Sequence, residues 1–233
     1  MNKISVITVV YNDIEGVEPT ICSVLSHKSD MIEYIIIDGG STDGTVDVIK
    51  KYDEKISFWL SEPDKGIYDA MNKGLKYATG NWSIFINVGD LLTHIPYVLF
   101  DDNYLKYDAV LCAVNTENGI VAPLYNWQLK FRNTIPHQGL FYNTSKTKIY
   151  FDTIYRVYAD YDLNLKLYLD NCKMFVFDSV VAFHSIHGVS CTSHNTKEFY
   201  TIVRKYNGLF FLFLSFLRLK YFGIKGRIKR IWR

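Results

Sequence analysis

Four short apolar runs rich in β-branched and aromatic residues open the chain: residues 4–10 (ISVITVV), 34–38 (YIIID), 56–60 (ISFWL) and 82–87 (WSIFIN). Runs this short and this uniformly apolar read as strands buried on both faces. The stretches between them, 15–27, 45–52 and 67–78, are each long enough for a crossover helix. In the last, Ile67, Ala70, Met71, Gly74, Leu75 and Ala78 recur at three- and four-residue steps and share one helical face. Strand, helix, strand connections build parallel sheets flanked by helices, so the first ninety residues predict an α/β fold.

Beyond Asp90 the alternation loosens. Residues 109–115 and 137–143 predict strands, 159–170 a helix, and KMFVFD (173–178) and VVAFHSI (180–186) two further strands. There is no internal repeat and no linker rich in Gly, Pro or Ser, so residues 1–207 are expected to form one domain with halves 1–90 and 91–207. Cys22, Cys112, Cys172 and Cys191 are far apart and form no CxxC pair, which argues against a zinc knuckle or a disulfide framework and for reduced thiols. The polar start runs directly into the first strand without the apolar core of a signal peptide, and a cytoplasmic location is expected.

In an open parallel sheet, ligands bind beyond the carboxyl ends of the strands. Tyr11, Asn12 and Asp13 follow the first strand, DGGSTDGT (38–45) closes the second, SEPDKG (61–66) follows the third, and Asn87 to Asp90 (NVGD) end the fourth. Any one of these clusters could be a set of turn formers and caps. All four on the ligand edge point to a nucleotide site. Asp38 can accept a hydrogen bond from a base N–H, and Tyr11 offers a ring face or a hydroxyl. With no GxxxxGK[ST] and no GxGxxG, phosphates would need a cation, and Asp90 is the best-placed hard oxygen ligand for Mn²⁺ or Mg²⁺.

ISVITVVYND, EYIIIDGGSTDGT, SEPDKGIYDAMNKGLKYATGNWSIFINVGD and HQGLFYN followed by YADYDLNLKL resemble, in order and spacing, the family 2 nucleotide-sugar glycosyltransferases of the GT-A fold. That resemblance implies a Rossmann-like, mainly parallel mixed sheet. It implies a nucleotide site from Tyr11, Asn12, Asp38, Asp64 and Asn87, and a metal held by Asp90 with His187, ranked above His184. Asp160, matching the acid of the family's ED motif, becomes the general base of an inverting transfer, with Asp162 as the competing acid. His137 and Gln138 fall near the donor sugar or acceptor. The chain departs from the family twice: Gly39 follows Asp38 where paired acids are common, and Gly89 precedes Asp90.

Residues 218–233 carry seven Lys or Arg and no acid, which leaves 19 basic against 24 acidic residues elsewhere. A basic tail on an acidic body argues against nucleic acid as the partner. With the apolar run 209–217 before it, the segment 208–233 reads as an interfacial anchor on the inner face of the cell membrane, or as a helix packed on protein. The expected activity is transfer of a sugar, UDP-linked by preference, to a glycan or lipid-linked acceptor of a capsule or lipopolysaccharide type. A sugar nucleotidyltransferase or a non-catalytic nucleotide-sugar-binding protein are the alternatives.

Overall fold

The computed structural model describes residues 2–185 and 196–231, with side chains in the last stretch through Arg218. His187, Cys191 and His194 lie outside the described residues. The first half runs β1 (Ile4–Val10), α1 (Ile14–Leu25), β2 (Ile32–Asp38), α2 (Thr45–Lys50), β3 (Phe58–Ser61), α3 (Ile67–Tyr77) and β4 (Trp82–Phe85). Then come β5 (Leu91–Leu92), β6 (Ala109–Thr116), β7 (Gly119–Val121), β8 (Leu140–Asn143), α4 (Ala159–Leu169), β9 (Met174–His184) and α5 (Thr196–Ile231). One sheet holds all the strands in the order β3-β2-β1-β4-β8-β6-β9-β5, with β7 folded back on β6. The β1–β2, β1–β4 and β2–β3 pairs are parallel; β8 enters antiparallel to β4 and β6, and β6 pairs parallel with β9.

Period-two alternation explains why the early strands read as unbroken apolar runs. Ile7, Val9, Ile35 and Ile37 enter a core shared with Met71 of α3, Leu163 of α4 and Phe199 of α5. Their neighbours Val6, Val10, Tyr34 and Ile36 enter a second core with Val17 and Ile21 of α1 and Ile49 of α2. Both faces of the sheet are thus covered, as parallel pairing requires.

Two predicted elements differ from the structure. The two strands expected at 173–178 and 180–186 are the single strand β9, whose register against β6 shifts between Leu111 and Ala113 and again between Ala113 and Val114. A bulge absorbs the polar Asp178–Ser179 step that looked like a turn. The strand expected at 137–143 begins with a 3₁₀ turn, His137–Gly139, and becomes extended only at Leu140. The chain there runs so close to β6 that a side chain at Gly139 would collide with the Cys112 carbonyl.

α5 bends at Gly208 (φ 73°). Past the bend, Ser215 is buried and donates to the Phe131 carbonyl at 3.0 Å, and the Lys130 ammonium lies 5.4 Å from the Phe211 ring. Leu209, Phe210, Phe213, Phe216 and Leu217 are exposed on other sides of the same helix. Among the described residues no helix is long and apolar enough to cross a membrane.

Candidate active site

The carboxyl ends of β1, β2, β3 and β4 meet at one edge, and hydrogen bonds between their loops fix its shape. The Asn12 amide N–H donates to Ser41 Oγ (2.7 Å), and Asn12 Oδ1 accepts from the Thr42 N–H (2.8 Å). Asp38, fully buried, organises its own turn: Oδ2 accepts from the N–H of Gly40 and Ser41 and from Ser61 Oγ, and Oδ1 accepts from Ser41 Oγ. Asp64 Oδ1 accepts from the Gly66 N–H at 2.7 Å. The rest of that carboxylate lies over Gly39, where a Cβ would collide with Asp64 Oδ2 and stand 3.3 Å from the Tyr11 ring. A second side chain after Asp38 would have to displace the Asp64 carboxylate from its place over residue 39. Tyr11 stays exposed beside it.

The turn after β4 explains the second departure. The Asp90 N–H donates to the Asn87 carbonyl at 3.0 Å, and Gly89 has φ +88°. An L-residue in the left-handed region costs about 1–2 kcal/mol, so a paired acid at 89 would strain this turn. Thr20 of α1 pins it, accepting from the Gly89 N–H (3.1 Å) and donating to the Asp90 carbonyl (2.9 Å). Nothing in the run IEGVEPT had marked Thr20. Asn87 leaves its Oδ1 buried and without a partner among the described residues.

Asp90 is almost fully buried, and its carboxylate meets three groups. Oδ2 accepts from Gln138 Nε2 at 2.9 Å, and Oδ1 accepts from the Ser185 N–H at 3.1 Å and lies 2.8 Å from His184 Nδ1. Gln138 Nε2 is also 2.9 Å from His184 Nδ1. A proton on Nδ1 satisfies the contact with Asp90 and opposes the contact with Gln138; a bare Nδ1 does the reverse. The hydrogen bond to Asp90 raises the His184 pKa, and burial opposes that rise.

A nitrogen lone pair and a carboxylate oxygen 2.8 Å apart are spaced close to neighbouring ligands of an octahedral cation, about 3 Å for bonds near 2.1 Å. One carboxylate and one imidazole fit Mn²⁺ better than Mg²⁺, which prefers an all-oxygen shell, and phosphate oxygens and water would complete the coordination. No group of three or more His, Cys, Asp or Glu suited to a metal occurs among the described residues, so phosphate oxygens and water would have to supply most of the shell. Among the described residues the histidine on Asp90 is His184; His187, expected as the metal histidine, lies outside them. The pairing of Leu91 with Phe183 puts residue 184 opposite residue 90, a signal hidden in a strand of only two residues.

Gln138 and His184 also line a cavity of about 390 Å³ whose walls include His137, Arg132, Asn133 and Asp160. His137 is wedged between Phe85, stacked at 5.3 Å, and the edge of Phe151 at 5.8 Å. Both its ring nitrogens are buried without a partner among the described residues, and burial lowers its pKa and keeps it neutral.

Asp160 sits in the first turn of α4, whose cap position is Tyr158. It therefore does not cap the helix. Its Oδ1 accepts from the Tyr68 hydroxyl (3.1 Å) and its Oδ2 from Asn133 Nδ2 (3.0 Å). Burial first, and the Asp160 charge second, raise the Tyr68 pKa, so the phenol remains a donor. The same hydroxyl reaches the Val157 carbonyl at 2.6 Å. The loop carrying Val157 is held from far along the chain: Glu198 of α5 accepts from the N–H of Arg156 (2.6 Å), Val157 (2.9 Å) and Tyr158 (3.1 Å).

Asp162 is not among the residues lining the cavity. It is fully buried and faces Lys166 (2.6 Å) and Lys205 of α5 (3.5 Å). A two-residue step along a helix turns the side chain by about 200°, which separates the acids into one facing the cavity and one facing α5.

Residues 5–153 match the model of glycosyl transferase family 2, and the chain belongs to that family. A PGL/p-HBAD biosynthesis glycosyltransferase of Mycobacterium bovis is 30% identical over 187 residues, covering 72% of this chain and 70% of that protein. A putative teichuronic acid biosynthesis glycosyltransferase, TuaG of Bacillus subtilis, is 39% identical over 90 residues, covering 37% and 36%. The chain spans about a third of an uncharacterized glycosyltransferase of Mycobacterium tuberculosis, Rv1514c, at 41% identity over 88 residues (37% of this chain, 34% of that protein). Among solved structures, S. aureus TarS 1-349 in complex with UDP-GlcNAc superposes with a TM-score of 0.68 at 21% identity, covering 87% of this chain and 65% of that one. At that identity the likeness shows the shared GT-A fold.

Proposed function

We propose that the chain transfers a sugar from a UDP-sugar to an acceptor hydroxyl with inversion at the anomeric carbon. The observation that carries this reading is the shared cavity: Gln138 and His184 touch Asp90 on the donor side, and Asp160 faces the same space. Asp160, oriented by Tyr68 and Asn133, takes the acceptor proton as the acceptor oxygen bonds to the anomeric carbon. The bond from that carbon to the diphosphate oxygen breaks, and its electron pair leaves with UDP. Tyr11, Asp64 and the Asn12 loop form the nucleoside wall. Asp90 and His184 would hold a divalent cation, Mn²⁺ or Mg²⁺, which when bound offsets charge on the diphosphate.

Support for UDP comes from TarS, solved with UDP-GlcNAc. Support for a surface-polysaccharide or glycolipid product comes from the names of the teichuronic acid and PGL relatives. The test is calorimetry of a panel of nucleotide sugars with and without Mn²⁺, followed by NMR of the product. UDP-sugar binding and a product of inverted anomeric configuration are expected; a retained configuration would remove Asp160 from the role of base.

The exposed face of α5 supports attachment to the cytoplasmic membrane surface, with the seven basic residues of 218–233 beside anionic headgroups. Replacing Phe213 and Phe216 by Ser leaves the Ser215 and Phe211 contacts in place and should lower affinity for anionic vesicles at least tenfold, since burying each ring contributes about 1.5–3 kcal/mol. A chain ending at Asn207 should lose vesicle binding. Equal sedimentation of all three with vesicles would assign this face to a protein contact.

A further inference from the structure

Asp160 is held by two donors, and each donor is tied to a loop that α5 grips. The Tyr68 hydroxyl lies 3.1 Å from Asp160 Oδ1 and 2.6 Å from the Val157 carbonyl, so its one proton is shared between them. That carbonyl belongs to the loop 156–158, whose three N–H groups all donate to the Glu198 carboxylate in the first turn of α5. The other donor, Asn133, sits in a loop closed at its neck by Leu124 and Thr134. There the Leu124 N–H donates to the Thr134 carbonyl (2.9 Å), and Thr134 Oγ1 to the Leu124 carbonyl (2.5 Å). Side chains of two helices take three successive carbonyls inside this loop. Tyr161 of α4 donates to Leu129 (2.8 Å), and α5 supplies Asn207 to Lys130 and Ser215 to Phe131, each at 3.0 Å. Asn133 follows two residues later and donates to Asp160 Oδ2 at 3.0 Å.

One helix thus reaches both sides of one carboxylate. A positioned base acts only within hydrogen-bond reach of the proton that it takes, and a displacement of about 1 Å can cost about a hundredfold in rate. A carboxylate accepting three N–H groups is a strong, charge-assisted hold, and Ser215 is buried at its contact, so neither grip is a loose surface bond. The Asp90 cluster has separate supports in Thr20, Gln138 and His184. We propose that Glu198, Asn207 and Ser215 are positioning residues for transfer. Through them α5 fixes the loops 156–158 and 124–134, and the loops set Tyr68 and Asn133 so that Asp160 faces the acceptor hydroxyl. This rests on the reading of Asp160 as the general base. The contact of Lys205 with Asp162 gives an internal comparison, because it ties α5 to α4 at an acid that does not line the cavity.

The experiment uses the full chain, calorimetry of the UDP-sugar that binds most tightly, and UDP release from that sugar with water as the acceptor. Glu198→Ala should lower kcat about tenfold or more, and Asn207→Ala with Ser215→Ala together by a similar factor, while donor affinity and donor KM stay within about twofold. Glu198→Gln keeps an acceptor oxygen for part of its loop and should fall between Glu198→Ala and the natural chain. Asp162→Asn loosens α5 without touching either loop, so it should lower the melting temperature and leave kcat within about twofold. In an Asp160→Asn background the Glu198→Ala loss should vanish, because the base it acts through is gone. Crystal structures read the same geometry without turnover. The Asp160–Tyr68 distance should exceed about 3.5 Å in Glu198→Ala, and the Asp160–Asn133 distance should do so in the Asn207, Ser215 double variant. If no UDP-sugar binds, or if Asp160→Asn releases UDP at the natural rate, the reading beneath this proposal fails and takes it along. If Asp160→Asn is slow but the α5 variants keep the natural kcat, if their losses multiply with that of Asp160→Asn, or if both distances are unchanged, α5 is only a structural strut.

Discussion

Asp160→Asn should bind the UDP-sugar donor with unchanged affinity and transfer the sugar roughly a hundred to ten thousand times more slowly, the usual loss for a positioned general base. An amide keeps the shape of the carboxylate but cannot take the acceptor proton. One of its two positions would also turn an N–H toward Tyr68 or Asn133, both of which are donors to Asp160. Donor calorimetry and a transfer assay on one preparation separate the two effects, with Asp162→Asn run in parallel. Asp162 faces Lys166 and Lys205, so its amide should lower the melting temperature and spare transfer. The stability loss should fall below the roughly 3–5 kcal/mol of a fully buried pair, because both lysines are partly solvated. Wild-type transfer by the Asp160 variant would sink the mechanism; loss only in the Asp162 variant would move the base across the helix.

Asp90→Asn should abolish the strengthening of UDP binding by Mn²⁺ while the fold persists. The Asp90 carbonyl and the Gly89 N–H that Thr20 grips belong to the backbone and survive the substitution. The side chain loses the charge that holds His184 and Gln138 around it. His184→Ala tests the second ligand. Changes in the groups around a metal typically cost 10–100-fold in affinity, and loss of the only carboxylate in this pair should cost at least that much. Calorimetry of UDP across a Mn²⁺ series reads both variants. An unchanged Mn²⁺ dependence in each would show that neither side chain ligates the ion.

The parallel half of the fold was legible because burial on both faces leaves little ambiguity: β1 spans 4–10 as read, and the ends of β2 to β4 differ by at most two residues. The acids at the strand ends could be placed for the same reason. Legibility failed where structure is set across the chain. β5, two residues long, carries no periodicity, yet its pairing with β9 is what puts His184 on Asp90. The grip of Thr20 on the Asp90 turn joins positions 70 apart. The resemblance ranked Asp160 above Asp162, but composition and spacing in the string ADYDL do not separate them; in the structure Asp160 lines the cavity while Asp162 faces Lys166 and Lys205.

The grip of Glu198 on three amides has a consequence for the order in which the molecule becomes competent. Every strand among the described residues, including β9, lies before Glu198 in the chain, and so do Tyr11, Asp64 and the Asn12 loop. A polypeptide emerging from its N-terminus can therefore complete these parts while the loop at 156–158 still lacks the carboxylate that closes it from 40 or more residues downstream. On the proposed reading, the strand edge that would meet the donor is complete before the loop beside Asp160 is closed, so donor binding would be gained earlier in synthesis than transfer.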